Sequence, residues 1–271
     1  MKNLAIISIL TALAGSLPVN AAIMIAHRGA SYDAPENTIT SQKLAYAQGA
    51  EATECDIHLT RDGKIVLMHD YDTARTGSVS NRIAVTDLAD LRKVDVANWG
   101  KFKGKGFAET VPLLEETLAA LPKGKRLFIE IKAGPEILPE LQRVLKKARK
   151  KPVQTPLIGF NYDTVKQAKA LLPRLEVSWL VSSDSKTKQF PPVEQLIDKA
   201  KAARLDGLDL NYGFPIDREF VQKVHAAGLK LYTWTVNDPE VARKQAEAGV
   251  DGITTDRPQW LREQIAFLPT K

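Results

Sequence analysis

Apolar residues recur along the chain in short runs, at 23–26, 53–59, 127–131, 157–160, 177–181, 207–210, 231–236 and 252–254. Between most of them lie amphipathic stretches with helical spacing, at 37–48, 136–150, 162–172, 193–203, 217–227 and 239–248. Strand-length runs alternating with helix-length segments predict a parallel sheet covered by helices. Eight such units in about 250 residues match the size of a single (β/α)8 barrel. An open doubly wound sheet is the competing arrangement, but the glycine-rich phosphate fingerprint that often accompanies it is absent. The segments Leu205-Asp206-Gly207-Leu208-Asp209 and Val250-Asp251-Gly252-Ile253-Thr254 resemble each other weakly, as repeated strand entries of a barrel do.

Two regions depart from this rhythm. Residues 71–110 are polar and contain Gly77, Gly100, Gly104 and Gly106, with no long element. A loop of that length is functional or carries its own small structure, and after a strand end it would cover the barrel mouth as an inserted cap. Its Lys101, Lys103 and Lys105 suit either a solvated loop or attraction of a phosphate. The other exception is residues 1–21, where Lys2 precedes an apolar stretch and Val19-Asn20-Ala21 offers a cleavage site after Ala21. That order is expected of a secretory signal peptide. The mature domain is then 22–271, periplasmic or secreted. Ser16 stands where a lipoprotein box requires Cys, so no acyl anchor is expected.

Composition adds limits more than identity. The single Cys excludes an intrachain disulfide framework. Beyond the leader no apolar run approaches the roughly 18 residues of a membrane span, so no stable membrane insertion is expected. The formal charge of +6 falls by one when Lys2 is removed, a modest excess spread along the chain. It favours anionic small molecules or envelope surfaces and does not argue for nucleic acid.

Chemistry collects at the ends of the early strands, where barrels of this class place it. The first strand closes with His27-Arg28-Gly29, the second carries Glu54-Cys55-Asp56, and the third ends Glu130-Ile131-Lys132. Side chains alternate faces along a strand, so Glu54 and Asp56 share a face, as do Glu130 and Lys132. Cys55 points away, as a small core residue. The turn Thr60-Arg61-Asp62-Gly63 predicts a β-hairpin at the mouth that brings His69 opposite Glu54 to within about a residue. Carboxylate contact there would raise the imidazole pKa, and a shared metal would lower it.

Three converging carboxylates repel one another, and a bound hard cation relieves them. Oxygen-only donors favour one divalent ion, Ca2+ or Mg2+, over Zn2+. Arg28 and Lys132 suit a phosphate, and two histidines supply proton exchange near neutral pH. This inventory fits metal-assisted phosphodiester cleavage. Buried structural ion pairs and a core role for His27 are the plain alternatives. His58 is expected at the pocket rim, and His225 on a helix surface.

In order along the chain stand His27-Arg28-Gly29-Ala30, Pro35-Glu36-Asn37-Thr38, Glu54-Cys55-Asp56-Ile57, Thr60-Arg61-Asp62-Gly63 and His69-Asp70. Pro112-Leu113-Leu114-Glu115-Glu116, Glu130-Ile131-Lys132, Trp234-Thr235-Val236-Asn237 and 249–258 (GVDGITTDRP) complete the set. Across essentially the whole mature chain this resembles the glycerophosphodiester phosphodiesterase family, of the phospholipase-C-like phosphodiesterase group. The resemblance implies a TIM-type barrel with a small inserted cap at about 71–110. It implies an acid–base pair of His27 and His69, metal ligation by Glu54, Asp56 and Glu130, and substrate contacts from Arg28, Lys132 and Trp234. Cys55 departs from the Leu common in the family, and His58 stands where Gln or His occurs; neither is a proposed catalytic position. The activity it implies is hydrolysis of glycerophosphodiesters to glycerol 3-phosphate and an alcohol. A phospholipase acting on lyso- or intact phospholipids, and a non-catalytic envelope binding protein, are the alternatives.

Overall fold

Each of the eight apolar runs forms a parallel strand in the computed structural model, which describes residues 22–184, 186–187 and 189–267. The expected export signal at 1–21 lies outside the described residues. In chain order the elements begin β1 (Ile23–Ala26), α1 (Ile39–Ala47), β2 (Ala52–Leu59), β3 (Ile65–Leu67), α2 (Leu88–Leu91), α3 (Leu114–Ala120) and β4 (Arg126–Ile131). They continue with α4 (Leu138–Ala148), β5 (Leu157–Gly159), α5 (Tyr162–Leu171), β6 (Val177–Val181) and α6 (Val193–Ala202). The last third holds β7 (Gly207–Asn211), α7 (Arg218–Ala226), β8 (Lys230–Trp234), α8 (Pro239–Ala248), β9 (Gly252–Thr255) and α9 (Pro258–Phe267). β1 pairs in parallel with β2 on one side and β9 on the other, which closes the cylinder. β3 lies outside that ring, antiparallel to β2.

The outward faces of the strands, including Ile57, Ile129 and Leu208, pack against the helices in one large core. α4 shows why such a segment is helical. Leu138, Leu141 and Val144 fall on one face and are buried, while Lys146 and Lys147 sit in the last turn. Each fully buried side chain of this kind contributes about 1.5–3 kcal/mol of apolar transfer. Helix starts follow local chemistry: Asn161, Asp217 and Asp238 accept hydrogen bonds from the first free backbone N–H groups of α5, α7 and α8.

The barrel interior is a packed plug, not a channel. Ile25, Ala52, Phe128, Ile158, Leu180 and Tyr232 fill it, with the Phe128 and Tyr232 rings edge-on at 5.1 Å. Below, Glu176 accepts from Arg126, Lys230 and the Tyr232 hydroxyl, which closes the amino-terminal end. The mouth therefore opens onto a largely apolar floor, broken by Asp209 in register between Leu180 and Tyr232, so any charge placed just above it is strongly felt.

The insertion at 71–110 is more ordered than its polar composition suggests. It contains α2 and short 3-10 turns at Ile83–Val85 and Gly100–Phe102. Ile83, Leu91, Val94 and Val96 form a separate small core with Val66, Met68 and Val111. Those apolar residues are scattered, without a strand or helix period, which is why the sequence pattern does not reveal them.

Candidate active site

Register decides which residues meet at the mouth. Glu54 lies beyond the carboxyl end of β1, because Ala26 pairs with Thr53. Asp56 sits directly beside Glu130 on β4. The expected shared face is present, and the three carboxylates are buried with one oxygen of each lying within 4.8 Å of the other two. Their electrostatics are those of an under-neutralised cluster. Burial, then Asp56 and Glu130, pushes the Glu54 carboxyl well above its ordinary range. Burial and Asp56 likewise push Glu130 up. Asp56 goes the other way: burial opposes ionisation, but Arg28, Lys132 and a hydrogen bond from Asn37 hold it below the usual value.

The cations stand beside the trio. Lys132 Nζ lies 2.9 Å from Glu130 and 3.5 Å from Asp56. Arg28 donates its backbone N–H to Glu54 Oε2 at 2.8 Å, its Nη1 to Glu36 at 2.9 Å, and holds Nε 3.4 Å from Asp56. Its backbone takes a left-handed conformation, φ 55°, followed by Gly29 at φ 81°. A Cβ on Gly29 would come within 2.5 Å of Ser41, so only glycine lets α1 approach this corner. That approach delivers Asn37, whose side chain brackets Asp56 by donating to Oδ2 at 2.8 Å and accepting from its backbone N–H at 3.1 Å.

Both histidines of the expected pair are at this mouth, each oriented by its own carboxylate. His27 Nδ1 lies 2.7 Å from Asp256, just past β9, and His69 Nδ1 lies 2.7 Å from the adjacent Asp70. Hydrogen bonding at Nδ1 leaves Nε2 for a substrate. The hairpin register, with Ile57 opposite Leu67, places His69 one residue from Glu54, as the turn spacing requires. The carboxylate touching His69 is Asp70, however, not Glu54. The His69 pKa is lowered, since burial, with repulsion from Arg28 and Lys132, outweighs the attraction of Asp56 and Asp70. Arg75 from the insertion bridges Asp70 and Glu36, tying the His69 and Arg28 supports together.

Trp234 ends β8, donates from its indole to the Asp209 carbonyl at 3.1 Å, and meets the Phe160 ring edge-on at 5.2 Å. His58 is buried, with Nε2 3.4 Å from the His69 carbonyl and its ring against Tyr71, so it braces the hairpin inside the rim. His225 is on α7, paired with Asp251. Cys55 is fully buried on the helix-facing side.

Sequence reasoning assigned no role to Glu36, Asp70, Arg75, Asn237 or Asp256, although all but Arg75 lie in the quoted motifs. Asp209 was also missed. Its carboxyl is buried with Oδ1 unpartnered among the described residues, and burial and Glu130 drive it toward the neutral acid. Asp256 is the opposite case. Burial would raise it, but hydrogen bonds from His27, Asn237 and Ser31 hold it at about 2. Its ionisation therefore stabilises the fold above the ordinary value of 3.8, and that stabilisation disappears as pH falls toward 2. Asp256→Asn should cost about 2 kcal/mol near pH 7 and progressively less between pH 4 and 2. Urea unfolding of both proteins across that range checks this, and a pH-independent difference would contradict it.

The glycerophosphoryl diester phosphodiesterase family model matches residues 27–260. A glycerophosphodiester phosphodiesterase of Caldanaerobacter subterraneus is 33% identical over 88% of this chain and 96% of that relative. Another, of Bacillus subtilis, is 29% identical over 87% and 84%. A solved phosphodiesterase of Oleispira antarctica, in complex with the product sn-glycerol-3-phosphate, is 31% identical with a TM-score of 0.79. That likeness covers 91% of this chain and 97% of the other.

Proposed function

The chain belongs to the glycerophosphoryl diester phosphodiesterase family, and from that premise we propose that it hydrolyses glycerophosphodiesters to glycerol 3-phosphate and an alcohol. The observation that carries this reading is the buried trio of Glu54, Asp56 and Glu130 flanked by two cations and two carboxylate-held imidazoles.

The trio suits one hard divalent cation, Ca2+ or Mg2+. Its donors are all oxygens, Glu54 Oε1 is buried without a hydrogen-bond donor among the described residues, and burial together with mutual repulsion raises two of the three groups. When bound, such an ion supplies Lewis-acid charge to the phosphoryl oxygens. Arg28 and Lys132 present N–H donors to the same phosphate, Arg28 through a planar fork held by Glu36. One imidazole takes the proton of the attacking water or glycerol hydroxyl, and the other gives a proton to the departing alkoxide. Asp256 and Asp70 fix the ring orientations, so that Nε2 is the exchanging atom in both. Trp234 and Phe160 form an aromatic wall for a carbon skeleton. Export through the leader at 1–21 would place the enzyme in the periplasm or the medium.

The test is enzyme-coupled release of glycerol 3-phosphate from a panel of glycerophosphodiesters, with lysophosphatidylcholine alongside. Release from the diesters supports the reading. Cleavage of lysophosphatidylcholine in preference to glycerophosphocholine would replace it with a phospholipase.

A further inference from the structure

The mouth has a second wall whose charges the chemistry above does not use. A cavity of about 240 Å3 is lined by His27, Arg28, Ser31, Asp256 and Glu36, the last neutralised by Arg28 and Arg75, and by Tyr32 and Lys101. Lys101 comes from the insertion, in the turn Gly100–Phe102. That turn is anchored: Phe102 is buried and meets the Trp99 and Phe107 rings edge-on at 5.6 and 5.7 Å. Lys101 Nζ stands 3.7 Å from the Tyr32 ring centroid. The Arg257 guanidinium lies 3.9 Å from the same ring and 4.1 Å from that of Trp260.

Pairing separates these two cations from the rest. Arg28 is matched by Glu36 and Asp56, His27 by Asp256, and Glu36 also by Arg75. Neither Lys101 nor Arg257 has a carboxylate within 4.0 Å among the described residues. Both are near one aromatic ring, close enough for their like charges to repel within a screening length of about 8 Å. An anion in the cavity beside Lys101 relieves that repulsion and gains a charge-assisted hydrogen bond, with Arg257 adding its charge from across the Tyr32 ring. The aromatic wall of Trp234 and Phe160 has no such character; among the described residues its neighbouring cation, Lys132, is engaged by the acidic trio.

We propose that Lys101, with Arg257 on the Tyr32 ring, is a specificity-determining site for an anionic group carried by the leaving alcohol. The proposal rests on the hydrolytic reading above and deepens it. It assigns the enzyme a preference for diesters whose second alcohol bears a further phosphate or a carboxylate. The insertion then acts as a selector, since it contributes the lysine without contributing to the catalytic groups.

Two substrate pairs isolate the effect. Bis(glycerophospho)glycerol differs from glycerophosphoglycerol by one further glycerophosphate, and glycerophosphoserine differs from glycerophosphoethanolamine by one carboxylate. In the full-length enzyme, Lys101→Ala should lower kcat/KM for the anionic member about tenfold more than for its partner, chiefly through KM. Lys101→Arg should retain the discrimination, and added salt should erode it in the unaltered enzyme. A response in the phosphate pair alone identifies a phosphate site, and a response in both pairs identifies a general anion site. Identical ratios for the unaltered enzyme and Lys101→Ala in both pairs would overturn the inference while leaving hydrolysis intact. Failure of the unaltered enzyme to cleave any of the four would remove the hydrolytic reading, and this inference with it.

Discussion

Alanine at His27 or at His69 is expected to lower kcat by about 10²–10⁴-fold, with folding preserved. The magnitude is that of losing one general acid or base from a step needing proton transfer at both the attacking and departing oxygens. Preservation of the fold follows from position. The two side chains are 20% and 32% exposed at the mouth, outside the packed interior. Removing the His27 ring leaves Asp256 with donors from Asn237 and Ser31, and removing the His69 ring leaves Asp70 with Arg75. Neither carboxylate is stranded. Steady-state kinetics together with thermal melting separate the two contributions, and near-full turnover in either variant would take that histidine out of the mechanism.

Glutamine at Glu54 or Glu130 is expected to weaken divalent-ion affinity by more than about 100-fold, beyond the usual cost of disturbing an outer-shell partner. The same substitution should raise the melting temperature of the ion-free protein. Both glutamates have carboxyls pushed up by burial and by neighbouring carboxylates. A group whose folded pKa exceeds its unfolded value gives up stability as pH rises through the folded value, so at neutral pH these two weigh against folding. Glutamine keeps the shape and removes the repulsion. The opposite signs of the two effects distinguish an ion site from a structural ion-pair network, in which either substitution would lower the melting temperature. Isothermal titration with Ca2+ and Mg2+ and melting after chelation provide both readings.

The apolar runs carry the barrel because a strand buried on one face by helices and on the other by the plug admits few polar residues. The glutamates and aspartate that interrupt β2 and β4 therefore stand out; alternation puts Glu54 with Asp56 and Glu130 with Lys132, while the β2–β4 register is what brings the trio together. The His69 position followed from counting back around a four-residue turn. The supports were less accessible. Asp256 reaches His27 across 229 residues, and that pairing exists only once β9 closes against β1. Asn37 works through its positive φ and the approach permitted by Gly29, a backbone property with no hydrophobic pattern. α3 and α9 escaped the pattern reading as well; α3 is only seven residues long. Asp209 was hidden because a lone acid in a strand gives no sign of whether it finds a partner.

The reading stands on a hard ion at Glu54, Asp56 and Glu130 serving the same turnover as His27 and His69. Its most direct test is glycerol 3-phosphate release from glycerophosphoglycerol by protein stripped with EDTA, before and after Ca2+ or Mg2+ is restored. Release should fall to background and return when an ion is added back, with no recovery in His27→Ala or His69→Ala. Undiminished release from the stripped enzyme would contradict it.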